Sequence, residues 1–459
     1  MNTRIAENLG RFLIAFSLTS LTVGCDDDSN GTSLEDPNVQ SGLCPSGESG
    51  LSSLSEIPSF AVISTDFSST AVSLLGAEAE VLAESWHNSG VTRPGLVAAL
   101  SGDVVFPSAQ YAGTFGVIDR FGTDAVSLFC QPEGDLVGQV RLSGNPDGKV
   151  GFRSNPHDYV IVSDTSAFAS RYSGSLDPDA PEIDQGTDLL GFDPTTMTLN
   201  GDRVDLSDFN EVVTGLEQSE GGERTEVDVS VVSRPSRIVR IGDYLIVGLD
   251  RLSSDFSGPR GHGDGITAVV DLNSETVTGV PLGGLANCGQ VTRVPGTERE
   301  VLVACKGYSN VSFFDEEGVR ATSGLVQLRL NGSGELEEVA RFENADDTSS
   351  LLATWTVTSL GDGLAVGVAL GNGDDVTDRL VLTELETGSQ EVLIVADGSF
   401  VLGQGAYGTS SGLLLVPNSG ADEIHRFVVS TDGETTLQEL DAVTVASSTG
   451  LPPVRIAAL

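Results

Sequence analysis

Two kinds of short apolar segment recur seven times each along the chain, and no other feature constrains the fold as strongly. One kind comprises Ala71–Glu78, Ala125–Pro132, Asp188–Pro194, Ile266–Asn273, Leu325–Asn331, Leu380–Thr387 and Ile424–Asp432, with starts 44 to 78 residues apart. The other precedes each of these by a loop: Phe60–Thr65, Phe115–Arg120, Ser166–Arg171, Tyr244–Val247, Val301–Lys306, Leu364–Val368 and Leu413–Val416. Runs of four to six residues rich in Val, Leu and Phe, bounded by Gly, Pro, Asn and Asp, are strands rather than helices. No stretch beyond residue 24 sustains a helical period, and 55 glycines suit many short strands and turns.

Short antiparallel strands, four to a unit and seven units in a ring, solve the problem of exposed sheet edges as a β-propeller. The expected fold is therefore all-β, a seven-bladed propeller over residues 56–459. Six units carry a first strand just upstream, such as Arg234–Gly242 before Tyr244. The first unit has only the polar Leu51–Ser59 ahead of Phe60, whereas the chain ends in Leu451-Pro-Pro-Val-Arg-Ile-Ala-Ala-Leu459, a proline followed by alternating Val, Arg and Ile. Residues 453–459 are expected to join blade one and close the ring.

The segments Phe60–Leu75 and Phe115–Phe129, with Asn155-Pro-His-Asp158 and Asp188–Pro194, resemble the repeats of YVTN/YncE-like, lactonase-like propellers of bacterial surface and periplasmic proteins. That resemblance implies a β-propeller of the bacterial lipoprotein type, and its motif is structural rather than catalytic. A Gly-His…Trp-Asp pair at WD40 spacing is absent.

The N-terminus reads as an address. Arg4 and Arg11 precede the 13-residue apolar stretch Phe12–Gly24, too short to span a bilayer and flanked like a signal peptide. Gly24 stands before Cys25, and Asp26-Asp27-Asp28 follows, which resembles a lipobox. Lipidation of Cys25, a flexible acidic tether over residues 25–55 and a location in the bacterial envelope are expected, the body facing the periplasm or the extracellular space. Plain secretion is the alternative. Cys25 also accounts for the odd member of five cysteines. Cys288 and Cys305 lie equidistant from the turn Pro295–Glu298, so a hairpin sets them within disulfide reach, leaving Cys44 to pair with Cys130.

Net charge is −42, from 24 basic and 66 acidic residues, which excludes nucleic-acid binding through a basic face. Against that background, four blades end their second strand with a cation: Arg120, Arg171, Arg251 and Lys306. With His157 and Asp158 they form a candidate rim for a carboxylate or phosphate, unless each arginine pairs with a neighbouring Asp119, Asp164 or Asp250. The loops of that face include Trp86–Asn88, Asn155–Asp158, Arg234–Arg237, Asn287–Gly289 and Gly403–Tyr407.

The histidines His87, His157, His262 and His425 share no metal-binding spacing, and no G-x-S-x-G elbow is present. No catalytic residue, metal site or cofactor is assigned. The loop Gly371–Asp378 is rich in oxygen ligands and Ca²⁺ is its alternative reading, an ordinary turn its first. The reading is a monomeric, membrane-anchored binding or scaffold module for a protein, glycan or small anionic ligand. The alternative is a metal-assisted hydrolase such as a lactonase acting at the channel mouth.

Overall fold

The computed structural model describes residues 43–44 and 58–459, except 92–94, 97, 112, 121–122, 132–133, 145–152, 178, 220–221, 313–314, 344–353, 371–376, 431–435 and 446–447. The signal segment, Cys25 and most of the tether lie outside these residues.

Among the described residues, seven sheets have four strands and one has three. All seven pairs of segments read from the sequence fall on the second and third strands of the four-stranded sheets. Each four-stranded sheet is antiparallel throughout, the unit of a β-propeller. The one α-helix among the described residues, Glu316–Ala321, is short. No helix among the described residues is long and apolar enough to cross a membrane.

Alternation within single strands explains the stacking of sheets. In Phe60–Thr65 all six residues are buried. Phe60 and Val62 pack with Ala406, Leu413 and Leu415 of the last sheet. Ala61 and Ile63 point the other way, onto Val104, Phe106, Phe115 and Phe129 of the second. Both faces of the strand are therefore core, which is why it reads as a continuous apolar run. Fourth strands such as Thr436–Val443 show one face to water.

The first strands pack side by side: Pro156–Ser163 against Pro235–Ile241, that strand against Gln290–Arg293, and onward through Thr354–Gly361 and Ala406–Gly408 to Pro453–Ala458. Pro453–Ala458 pairs antiparallel with Phe60–Thr65, Ala458 opposite Phe60 and Ile456 opposite Val62. Arg455 Nη1 then donates to Val104 O of the second sheet at 3.3 Å.

Both expected disulfides are formed, Cys44–Cys130 and Cys288–Cys305. The ladder pairs Gln290 with Ala304, and the Lys306 N–H then bonds Asn287 O. That one-residue shift brings Cys288 opposite Cys305.

One element has no counterpart in the repeat. The strands Glu211–Gln218 and Arg224–Val232 form a hairpin inserted before the first strand of the fourth sheet, extended by Leu252–Ser253. It rises from the face on which each sheet hands the chain to the next.

Candidate functional site

The four cations at the second-strand ends are buried, and each has a carboxylate partner. Arg120 pairs with Asp103 at 2.5 Å. Arg171 holds Asp188 with both Nε and Nη2, each at 2.7 Å. Arg251 pairs with Glu211 at 2.5 Å, and Lys306 lies 4.0 Å from Asp250. They do not stand as an open rim. A guanidinium withdrawn from water needs a paired charge to be tolerated. The partners also differ from the adjacent aspartates, because successive side chains of a strand point to opposite faces. Asp119, for instance, turns away from Arg120 and accepts the Ser101 N–H at 2.6 Å.

Two other loop readings are relocated. Trp86 and His87 belong to the outer strand Val81–Asn88, with the Trp86 ring 5.3 Å from Phe115 and the His87 ring 4.7 Å from Phe129. The Ca²⁺ reading of Gly371–Asp378 falls mostly outside the described residues. Its last member, Asp378, is buried and accepts the N–H groups of Phe400, Val401 and Leu402.

Two charged positions meet where the first strands of the third and fourth sheets come together. Asn155-Pro-His-Asp158 and Arg234-Pro-Ser-Arg237 place them in the same register, after a residue at φ 46° in each case. Asp158 is fully buried and accepts N–H bonds from Ser108 (2.9 Å), Tyr159 (2.8 Å) and Ile238 (2.7 Å). Burial outweighs these bonds and raises its carboxyl to about 7. Arg237 stands 3.7 Å from that carboxylate and donates to the carbonyls of His157 (2.8 Å) and Phe106 (3.2 Å).

Above this pair lies a column of rings. His157 stacks on Tyr172 with centroids 4.0 Å apart and planes 16° from parallel. Tyr172 and Phe256 are within 10° of parallel with centroids 6.3 Å apart. The Arg234 guanidinium lies 3.8 Å from the Phe256 centroid and 5.1 Å from that of Tyr172. Carbonyls fix it: Ser253 O accepts from Arg234 Nη2 at 2.6 Å and Tyr172 O from Nη1 at 3.3 Å. Phe256 closes the column and is 39% exposed. His157 is held well below its ordinary pKa by burial, then by Arg120, Arg455 and Arg234, so its imidazole is neutral. Its Nδ1 meets Ser236 Oγ at 3.0 Å, and its buried Nε2 has no hydrogen-bond partner among the described residues. The carboxamides of Gln290, on the first strand of the fifth sheet, and of Gln404, two residues ahead of Ala406–Gly408, are buried and likewise without partners among the described residues. Groups of this kind are satisfied by bound water or ligand.

Of the rim read from the sequence, the structure gathers His157 and Asp158 here, and Arg120 acts on His157 through its charge. Sequence reasoning missed Tyr172 and Phe256. Tyr172 follows Arg171 directly, and Phe256 sits in an irregular loop with no periodic signal.

No protein-family model and no curated protein matches the chain. Solved structures do, at the level of fold. The hypothetical selenium-binding protein of Sulfolobus tokodaii aligns with a TM-score of 0.51 at 9% identity, over 87% of this chain and 93% of that one. A candidate 6-phosphogluconolactonase of Bacteroides fragilis gives 0.50 at 12% identity, over 88% and 98%. The periplasmic gluconolactonase of Pseudomonas aeruginosa gives 0.48 at 14%, over 87% and 98%. The fold these structures share with the chain is the β-propeller. At these identities the likeness speaks of the scaffold, and propeller scaffolds carry many functions. Among the described residues no three His, Cys, Asp or Glu side chains converge as a metal-binding set.

Proposed function

We propose that the protein is an envelope-tethered β-propeller binding module that takes a small ligand at the mouth beside Arg234. The seven four-stranded sheets are its blades, and Pro453–Ala458 closes the ring against blade one. The signal over residues 1–24 directs export, lipidated Cys25 anchors the chain and residues 25–55 tether it.

The observation that carries the binding reading is the layered His157–Tyr172–Arg234–Phe256 column, which ends in an exposed ring. A rigid aromatic platform backed by a fixed cation offers a ligand stacking area and a field without costing it much ordering entropy. The carboxylates nearby are already engaged: Asp158 by three backbone amides, Asp250 by the Gly289 N–H at 2.7 Å and by Lys306. The lactonase reading is supported by likeness of fold.

The test is a thermal-shift screen of the full-length protein against sugars, organic acids, amino acids and short peptides, repeated with Phe256→Ala. A ligand that stabilises the wild type and loses its effect in Phe256→Ala supports the reading. Turnover of glucono-δ-lactone, with no ligand sensitive to Phe256, would replace it with the hydrolase. Mass spectrometry of the mature N-terminus tests the anchor: a diacylated or triacylated Cys25 is expected, and an unmodified start at any other residue refutes it.

A further inference from the structure

Antiparallel pairing divides every four-stranded sheet between two faces. On the face where each sheet hands the chain to the next, first and third strands start and second and fourth strands end. The links from first to second strand and from third to fourth lie on the opposite face. Strands of six residues set the two faces about 20 Å apart.

The column stands on the handover face. His157 lies at the start of the first strand Pro156–Ser163, and Tyr172 follows the end of the second strand Ser166–Arg171. Arg234 precedes the first strand Pro235–Ile241, and Phe256 lies between the second strand Tyr244–Leu249 and the third strand Ile266–Asp271. The inserted hairpin rises from this face too.

The N-terminal segment joins the body on the opposite face, and it does so twice. Cys130 ends the third strand Ala125–Cys130 and stands across the ladder from Thr114, the first residue of the second strand. Cys44 is disulfide-bonded to it, with its Sγ 3.2 Å from Gly113 O. Leu43 packs onto the buried cluster shared by the second and third sheets, so an apolar contact seats the segment beside the covalent bond. The second junction is Ser59, just ahead of the second strand Phe60–Thr65, whose carbonyl accepts the Leu459 N–H at 2.8 Å.

Cys44 follows Cys25 by 19 positions and Ser59 follows it by 34. Fully extended, these spans reach no more than about 65 and 120 Å. The disulfide thus nearly halves the length of chain between Cys25 and the body. To turn the column towards the point where Cys25 is held, that chain must pass round the fourth strand and across the thickness of the sheet. Such a path takes about 30 Å, half of the shorter reach but only a quarter of the longer one. A chain drawn out in this way loses conformational freedom, so the shorter link opposes the turn more strongly.

We propose that the Cys44–Cys130 disulfide is an orienting strap: it holds the face opposite the column towards the membrane and presents the column and the inserted hairpin away from it. The ligand taken at the column then arrives from the aqueous side or from a facing surface, and not from the lipid of the anchoring membrane. The inference deepens the reading above and rests on its lipidated Cys25.

The experiment uses the full-length lipidated protein inserted from outside into phosphatidylcholine vesicles that carry a trace of rhodamine-labelled phosphatidylethanolamine. A donor dye is coupled to an azide-bearing residue replacing either Ser410 or Thr225, both exposed. Ser410 lies in the link between the first strand Ala406–Gly408 and the second strand Leu413–Asn418, on the strapped face. Thr225 lies on the inserted hairpin. Energy transfer to the membrane is expected to be about twofold higher from Ser410 than from Thr225, given faces about 20 Å apart. A Gly-Ser insertion of 20 residues after Asn30 roughly doubles the reach to Cys44 and should narrow the ratio to about 1.3. The same insertion after Gly50 lies beyond the strap and should leave the ratio unchanged. Equal transfer from both sites, or more from Thr225, overturns the proposal. So does an insertion after Gly50 that narrows the ratio as much as one after Asn30, because the body is then held from Ser59 and not from Cys44. Flotation with the vesicles separates the two readings. Protein that floats without the difference removes only the orientation, whereas protein that does not float removes the lipid anchor and the orientation with it.

Discussion

The Asp158 carboxylate of the third sheet accepts the Ile238 N–H of the fourth at 2.7 Å, with neither group open to water. The same carboxylate takes the Ser108 N–H from the connection between the first two strands of the second sheet. One side chain thus ties three consecutive sheets at their inner edge. Asp158→Ala leaves these amides without an acceptor and removes the carboxylate 3.7 Å from Arg237. A loss of about 3–5 kcal/mol in urea unfolding is expected. A loss below about 1 kcal/mol would show that water replaces the carboxylate easily.

Arg171 makes a two-pronged pair with Asp188, and Asp188 also meets Arg203. Removing a fully buried guanidinium while its carboxylate remains should cost about 3–5 kcal/mol, so Arg171→Ala is expected to lower the melting temperature clearly. Unchanged stability combined with lost binding would restore Arg171 to a ligand rim.

Stability should rise as pH falls from 8 to 6. Burial raises Asp119 and Asp158 to about 7, and Asp124 and Asp250 to about 6. In the unfolded chain these carboxyls titrate near 3.9. Between the two values the folded state holds more protons, so stability falls as pH rises through the folded values. Each group near 7 contributes about 1 kcal/mol over this window. His157 opposes the trend only below its ordinary value of about 6.5, where the unfolded chain takes up a proton that the buried ring refuses. Melting curves at pH 6, 7 and 8 check this, and a melting temperature that rises towards pH 8 contradicts it.

Removing the last seven residues tests closure. Ile456, Ala457 and Ala458 are buried, and their strand lies between Phe60–Thr65 and the neighbouring sheets. A chain ending at Pro452 exposes the edge of Phe60–Thr65 and the apolar surface on both sides of it. It is expected to lose its single cooperative transition or to associate through the open edge. A monomer that melts with the full-length protein would show that the strand is dispensable.

The strand pattern was legible because each blade repeats a local signal. Val, Ile and Phe in short runs between turn residues form strands wherever they occur, as in Phe60–Thr65 and Val301–Lys306. The C-terminal strand was legible for the same reason, since Pro453–Ala458 copies the proline and alternation of Pro235–Ile241. The Cys288–Cys305 pairing followed from hairpin geometry, which depends on counting residues from a turn, and Cys44–Cys130 followed by elimination. The partners of the buried cations were not legible. Arg120 takes Asp103, Arg251 takes Glu211 and Lys306 meets Asp250 across loops of unequal length, and a strand end carries no mark of which loop folds over it. The column was out of reach too: His157, Tyr172, Arg234 and Phe256 come from separate segments of the third and fourth blade regions. The sequence by itself determined the repeat, its all-β class and the chemistry available at each position, because those depend on neighbours along the chain. Only the tertiary structure decided which charges are spent on each other and which buried polar atoms are left without a partner among the described residues, because that depends on neighbours in space.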